Sequence, residues 1–158
     1  MRHTRNPVAR TLSLMALAAI LSAGCSKDST TAPEGITIAD LVGSWTASSV
    51  VFTSQANSSQ KFDIVAAGGE LRATVLDGGR TRMWLDVGSF SDEWDSLLTL
   101  DGNTLTMTPA ETSRPTRHYT IDVSADRLTM TSSDASFDFT LSGASGVAAT
   151  EKTVLVRQ

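Results

Sequence analysis

The feature that most constrains this chain is a two-residue alternation of apolar and polar side chains, broken about every 8–12 residues by turn-forming clusters. Leu105/Met107, Tyr119/Ile121/Val123, Leu128/Met130, Phe137/Phe139/Leu141 and Val154/Val156 share one parity, while Thr104/Thr106/Thr108, His118/Thr120/Asp122, Thr129/Thr131 and Asp138/Thr140 take the other. Successive side chains of a strand point to opposite faces, so this pattern describes a sheet with one buried and one wet face. Asp77-Gly78-Gly79, Asp101-Gly102-Asn103, Ser124-Ala125-Asp126, Ser132-Ser133-Asp134 and Ser142-Gly143-Ala144 supply the chain reversals between runs. Together they predict strands near 44–53, 60–66, 70–76, 80–87, 91–100, 104–109, 116–123, 127–132, 136–141 and 148–157.

Short hairpins in sequence order make every neighbour antiparallel. A one-sided sheet of this size must fold on itself or close, because open edges pair with other chains. No segment after Val42 reads as a helix long enough to cover a sheet face. The expectation is therefore an all-β fold, an antiparallel up-and-down β-barrel of about 8–10 strands. Thr37, with Asp40 three residues on, forms a capping box that starts a short N-terminal helical turn over 38–42.

The amino end has a different character. Arg2, Arg5 and Arg10 precede the apolar run Leu12 to Leu21, and Ser22-Ala23-Gly24 then leads into Cys25, the only cysteine. A basic start, a short apolar stretch and small residues at the end make a secretory signal peptide, too short to span a bilayer. Leu21-Ser22-Ala23-Gly24-Cys25 resembles a bacterial lipobox, with Ser22 where Leu, Ile or Val is common and Leu21 one place further back. That resemblance implies cleavage before Cys25 and lipidation of its sulfur, hence a lipoprotein held in the cell envelope by a membrane anchor. Ser26, rather than an Asp, then implies the outer membrane if the envelope is diderm. The domain division expected is a signal peptide at 1–24, a lipidated Cys25 with a flexible tether at 25–35, and a barrel domain at 36–158. An unstructured tether of that composition reaches roughly 17–19 Å.

Cleavage also changes the charge. The 158 residues carry 13 basic and 17 acidic side chains, and loss of Arg2, Arg5 and Arg10 leaves 10 against 17, or −7. Phosphate backbones are bound by clustered Lys and Arg, so nucleic acid is excluded as a partner.

Leu41-Val42-Gly43-Ser44-Trp45, a helical turn running into Gly-x-Trp at the first strand, resembles the opening of the lipocalin and fatty-acid-binding (calycin) barrels. The whole layout is similar to compact lipocalin-like domains on bacterial lipoproteins, although no Thr-Asp-Tyr-like second motif is present. The resemblance implies that Trp45 plugs the closed end of the barrel and that Arg157, on the last strand, stacks over its indole. It also implies a role for Arg117 and Tyr119, whose Arg-x-Tyr spacing is similar to the head-group anchor of fatty-acid-binding proteins. Read from the residues alone, the two share a strand face and can hold a carboxylate together, or Arg117 can belong to a solvated rim at 114–118.

Met83, Leu85, Met107, Met130, Phe137 and Phe139 are the candidate lumen lining. Eight-stranded barrels are either filled by side chains or hold one small ligand, and parity does not decide between them. Catalytic prospects are poor. Asp92-Glu93-Trp94-Asp95 lacks the ligand spacing of a calcium loop and reads as hairpin surface charge. His118 falls on the outward parity, and no Gly-x-Ser-x-Gly elbow exists. The expectation is no enzyme, no metal and no cofactor. Two functions follow: an anchored carrier of a small hydrophobic ligand, or a structural or inhibitory envelope lipoprotein whose filled barrel presents loops such as 55–60 to another envelope protein. Replacing Cys25 with Ala is expected to abolish metabolic palmitate labelling, and labelling that survives the change rules out the anchor.

Overall fold

The computed structural model describes residues 35–143 and 145–158. The expected signal peptide, Cys25 and tether residues 26–34 lie outside them. Helix α1 (Ile38–Leu41) is followed by β1 (Gly43–Ser54), β2 (Lys61–Asp63), β3 (Glu70–Val75), a single helical turn at Asp77–Gly79, β4 (Arg80–Val87) and β5 (Phe90–Asp101). β6 (Thr104–Pro109), β7 (Arg117–Val123), β8 (Arg127–Phe137) and β9 (Val147–Arg157) complete the chain. Every pairing is antiparallel and consecutive from β3 to β9. β1 then pairs with β9 from Trp45 opposite Arg157 to Ser54 opposite Ala149, which closes the sheet. The closed barrel has eight strands, because β2 is a short addition to β1 at Val51–Thr53, past the point where β3 leaves it.

Three sequence expectations are corrected. The runs at 127–132 and 136–141 are not two strands: β8 is continuous to Phe137, and Phe139 and Leu141 lie in the loop after it. Ser132-Ser133-Asp134 makes a β-bulge there instead of a turn, with a register shift between Ser132 and Ala135. The Ser132 hydroxyl donates to the Asp134 carboxylate and accepts from the Asp134 amide, a local pairing that takes the extra residue without reversing the chain. Residues 64–66 likewise leave the expected strand, as the Asp63 carboxylate accepts the amides of Val65 and Ala66 and folds them into a turn. Finally, β9 buries Ala149, Glu151, Thr153 and Leu155, so Val154 and Val156 take the other face.

A second bulge lies in β1, between Ala47 and Ser49. Before it Trp45 and Ala47 are buried; after it Val50, Phe52 and Ser54 are. Both neighbours of β9 thus carry one extra residue, and the added local twist bends them around the barrel.

One end of the barrel is sealed. Trp45 is only 1% exposed, and its indole N–H donates to the Leu41 carbonyl at 2.8 Å. The Arg157 guanidinium lies 4.2 Å from the centre of the Trp45 ring, a cation–π contact worth about 0.5–2 kcal/mol. The same guanidinium donates to the carbonyls of Val42, Asp40 (2.7 Å) and Ala125 (3.2 Å), so it ties the end of α1 to the β7–β8 turn. α1 is itself fixed by the capping box, Thr37 donating its amide and hydroxyl to the Asp40 carboxylate at 2.8 Å. Gly43 is required by this arrangement. Its φ is +136°, and a Cβ there would stand 2.7 Å from Arg157 Nη1. Gly43→Ala is expected to cost about 1–3 kcal/mol in chemical denaturation. The cost should fall when the change is made in Arg157→Ala, where the collision is gone; equal costs in both backgrounds would refute the packing account of this glycine.

Candidate functional site

Antiparallel order puts the beginnings of β1, β4, β6 and β8 at the sealed end and those of β3, β5, β7 and β9 at the other. That second end opens into a cavity of about 240 Å³. Its apolar wall is built from strand positions that the pleat turns inward: Leu71, Met83, Leu85, Met107 and Met130, with Trp94 half-buried among them. Four of these, Met83, Leu85, Met107 and Met130, are positions expected from sequence parity. Phe137 and Phe139 stand outside this lining. Phe137 stacks on Phe52 (centroids 4.4 Å apart) and Phe62 (5.2 Å), and Phe139 meets its edge at 5.1 Å, forming an aromatic cluster where β8 leaves the barrel.

The polar part of the cavity has one centre that parity reasoning found and one that it missed. Arg117 and Tyr119 do share the inward face of β7, but both point at Glu151 of β9. Arg117 Nη1 donates to Glu151 Oε2 at 2.9 Å, and the Tyr119 hydroxyl reaches the same oxygen at 3.5 Å. Thr153, two residues along the same face, donates its hydroxyl to Oε1 at 3.0 Å. A carboxylate therefore already sits where a ligand head group was expected, and it belongs to the protein.

Glu151 is 7% exposed and Tyr119 4%, whereas the Arg117 side chain is 30% exposed. Burial pushes the Glu151 carboxyl above its ordinary value, against the opposing pull of the Arg117 charge and the Thr153 and Tyr119 hydrogen bonds. Burial, followed by the nearby Glu151 charge, pushes the Tyr119 hydroxyl up as well, so it remains a donor across the physiological range. Removing water from a carboxylate costs several kcal/mol, and three donors on two oxygens are what offset it.

A second ion pair sits at the cavity wall. β5 alternation splits the acidic run: Glu93 and Asp95 point outward to Arg82, at 3.2 and 3.1 Å, while Asp92 and Trp94 face the cavity. Asp92 is thus not solvated hairpin charge. Arg114, from the β6–β7 loop, donates Nη2 to both Asp92 oxygens at 2.7 and 2.8 Å and lies 4.9 Å from the Trp94 ring. His118 is exposed beside Thr106, on the outward face assigned from parity. Among the described residues no cluster of three or more His, Cys, Asp or Glu is placed to hold a metal ion.

The missed residue was detectable. The resemblance sets Arg157 against Trp45, which faces inward, and Arg157, Leu155, Thr153 and Glu151 share a parity. Following Arg157 instead of the two valines puts Glu151 inside.

No protein-family model matches the chain, and no curated protein matches its sequence.

The raised Glu151 value carries a pH signature. A carboxyl that holds its proton more tightly when folded contributes stability that is complete below its unfolded value of 4.5 and is lost as pH rises through the folded value. The stability of the wild type relative to Glu151→Gln, measured by urea unfolding, is therefore expected to fall as pH rises above about 4.5. A difference that stays flat from pH ~4 to ~8 would mean that burial leaves this carboxyl unperturbed.

Proposed function

We propose that the protein is an envelope-anchored, lipocalin-like carrier or sensor of a small hydrophobic molecule, held to a membrane through Cys25 and binding its ligand in the open end of the barrel. The observation that carries this reading is the cavity itself: about 240 Å³, walled by methionines, leucines and aromatic rings, with a few converging polar groups. An apolar cavity of about 150 Å³ is enough for benzene, and pockets for drug-sized ligands begin near 300 Å³. The matching ligand is compact, on the order of a bicyclic ring or a short alkyl chain. Three methionines in the wall give it a polarizable, adaptable surface.

The Trp45–Arg157 seal and the Gly-x-Trp entry support the lipocalin-like assignment, as does the closed eight-stranded antiparallel barrel. The role is binding without chemistry, since the buried carboxylate is engaged by three donors and Asp92, the other acid lining the cavity, is held by Arg114. The chain enters the barrel at the sealed end, next to α1.

The neutral fluorophore naphthylamine is expected to bind saturably, with enhanced emission and quenching of intrinsic tryptophan fluorescence through Trp94. Met107→Trp, which fills the cavity, should abolish the signal while leaving the far-ultraviolet circular dichroism of the barrel in place. Absence of saturable binding by the wild type would overturn the carrier reading.

A further inference from the structure

We infer that Glu151 is a specificity-determining residue that excludes anionic ligands from the cavity and selects neutral molecules carrying a hydrogen-bond donor. The inference rests on the ligand-binding reading of the cavity. Its basis is the placement of one buried carboxylate against the two side chains that would otherwise receive an acid.

Arg117 and Tyr119 converge on a single point, and Glu151 Oε2 occupies it. A ligand carboxylate entering the cavity must either displace Glu151 from both donors or share Arg117 with it. Displacement leaves Glu151, at 7% exposure, with only the Thr153 hydroxyl as a donor. Sharing places two carboxylates about one guanidinium in an apolar chamber, and like charges so juxtaposed cost several kcal/mol. No other cation in the cavity relieves this: Arg114 is held by both oxygens of Asp92 and also by Glu111 at 3.1 Å.

A neutral donor meets the opposite situation. A carboxylate has about four acceptor sites. Arg117 and Tyr119 use those of Oε2, Thr153 uses one of Oε1, and one remains on Oε1. A hydroxyl or amine N–H filling it adds a charge-assisted hydrogen bond, about twice the strength of a neutral one, without adding charge. The rest of such a ligand lies against Met83, Met107 and Met130.

The test is displacement of naphthylamine from the full chain by octanol and by octanoate, which share an alkyl chain and differ in charge. The expected result is that octanol displaces the probe at a concentration at least about tenfold lower than octanoate. In Glu151→Gln, which removes the negative charge that Arg117 and Tyr119 engage, the order should invert. Wild-type preference for octanoate, or a preference for octanol unchanged in Glu151→Gln, overturns the inference while leaving the carrier reading intact. Failure of the probe itself to bind overturns both. The wild-type comparison stands by itself if the variant does not fold.

Discussion

The register between β1 and β9 is the constraint on which the remaining structure depends. It closes the sheet, places Arg157 opposite Trp45, and fixes which face of β9 looks inward. A slip of one residue would exchange those faces. Thr150, Lys152, Val154 and Val156 would turn inward, Ala149, Glu151, Thr153 and Leu155 would leave the core, and Arg117 would lose its carboxylate partner. Apolar burial barely separates the two registers, because the slip exchanges Leu155 and Ala149 for two valines and Glu and Thr for Lys and Thr. Contacts besides apolar burial therefore decide between them.

Pins at both ends do this. At the sealed end, Arg157 is bonded to three backbone carbonyls that it reaches only in the native register. At the open end, the Gln55 amide donates to the carbonyls of Ser133 and Ala149, at 2.6 and 3.2 Å, bridging the β8 bulge to the start of β9. Between them Glu151 is bonded across the barrel to Arg117. Each of these bonds contributes about 1–3 kcal/mol where a charge is involved, and each is lost entirely on a slip. Polar contacts here select one register from two, while the apolar core supplies stabilisation that either register would share in part.

This division explains what the sequence made legible. Hairpins formed by Gly and Asp turns, and strands with clean alternation such as β6 and β7, emerge directly, because a local signal and the tertiary outcome agree. Ser132-Ser133-Asp134 has the composition of a turn, and its local hydrogen bonds serve a bulge equally well; only the partner strand β9, continuous opposite it, decides between them. β9 itself could not be oriented by its valines, since both faces carry apolar residues and the discriminating side chains are polar. The site followed the same rule. Arg117 and Tyr119 are legible as a pair because residues two apart on one strand share a face, but Glu151 lies 34 residues from Arg117 and Arg114 lies 22 from Asp92. Pairings across that distance are set by barrel closure and by the path of the β6–β7 loop, neither of which has a local signature.

The same closure gives the cavity its electrical character. Arg117 is matched by Glu151 and Arg114 by Asp92, so the chamber holds two cations and two anions in internally satisfied pairs. Four charges around an apolar space would be costly if unpaired, and their pairing means that the protein does not await a counter-ion to complete itself. The chain as a whole is acidic, with a formal charge of −4, so the field outside the barrel has the same sign as the carboxylate within. Salt screens the outer field over about 8–10 Å, and the buried one much less. For the ligand proposed above, an anion would meet both fields and a neutral molecule neither, with Glu151 as the nearer source.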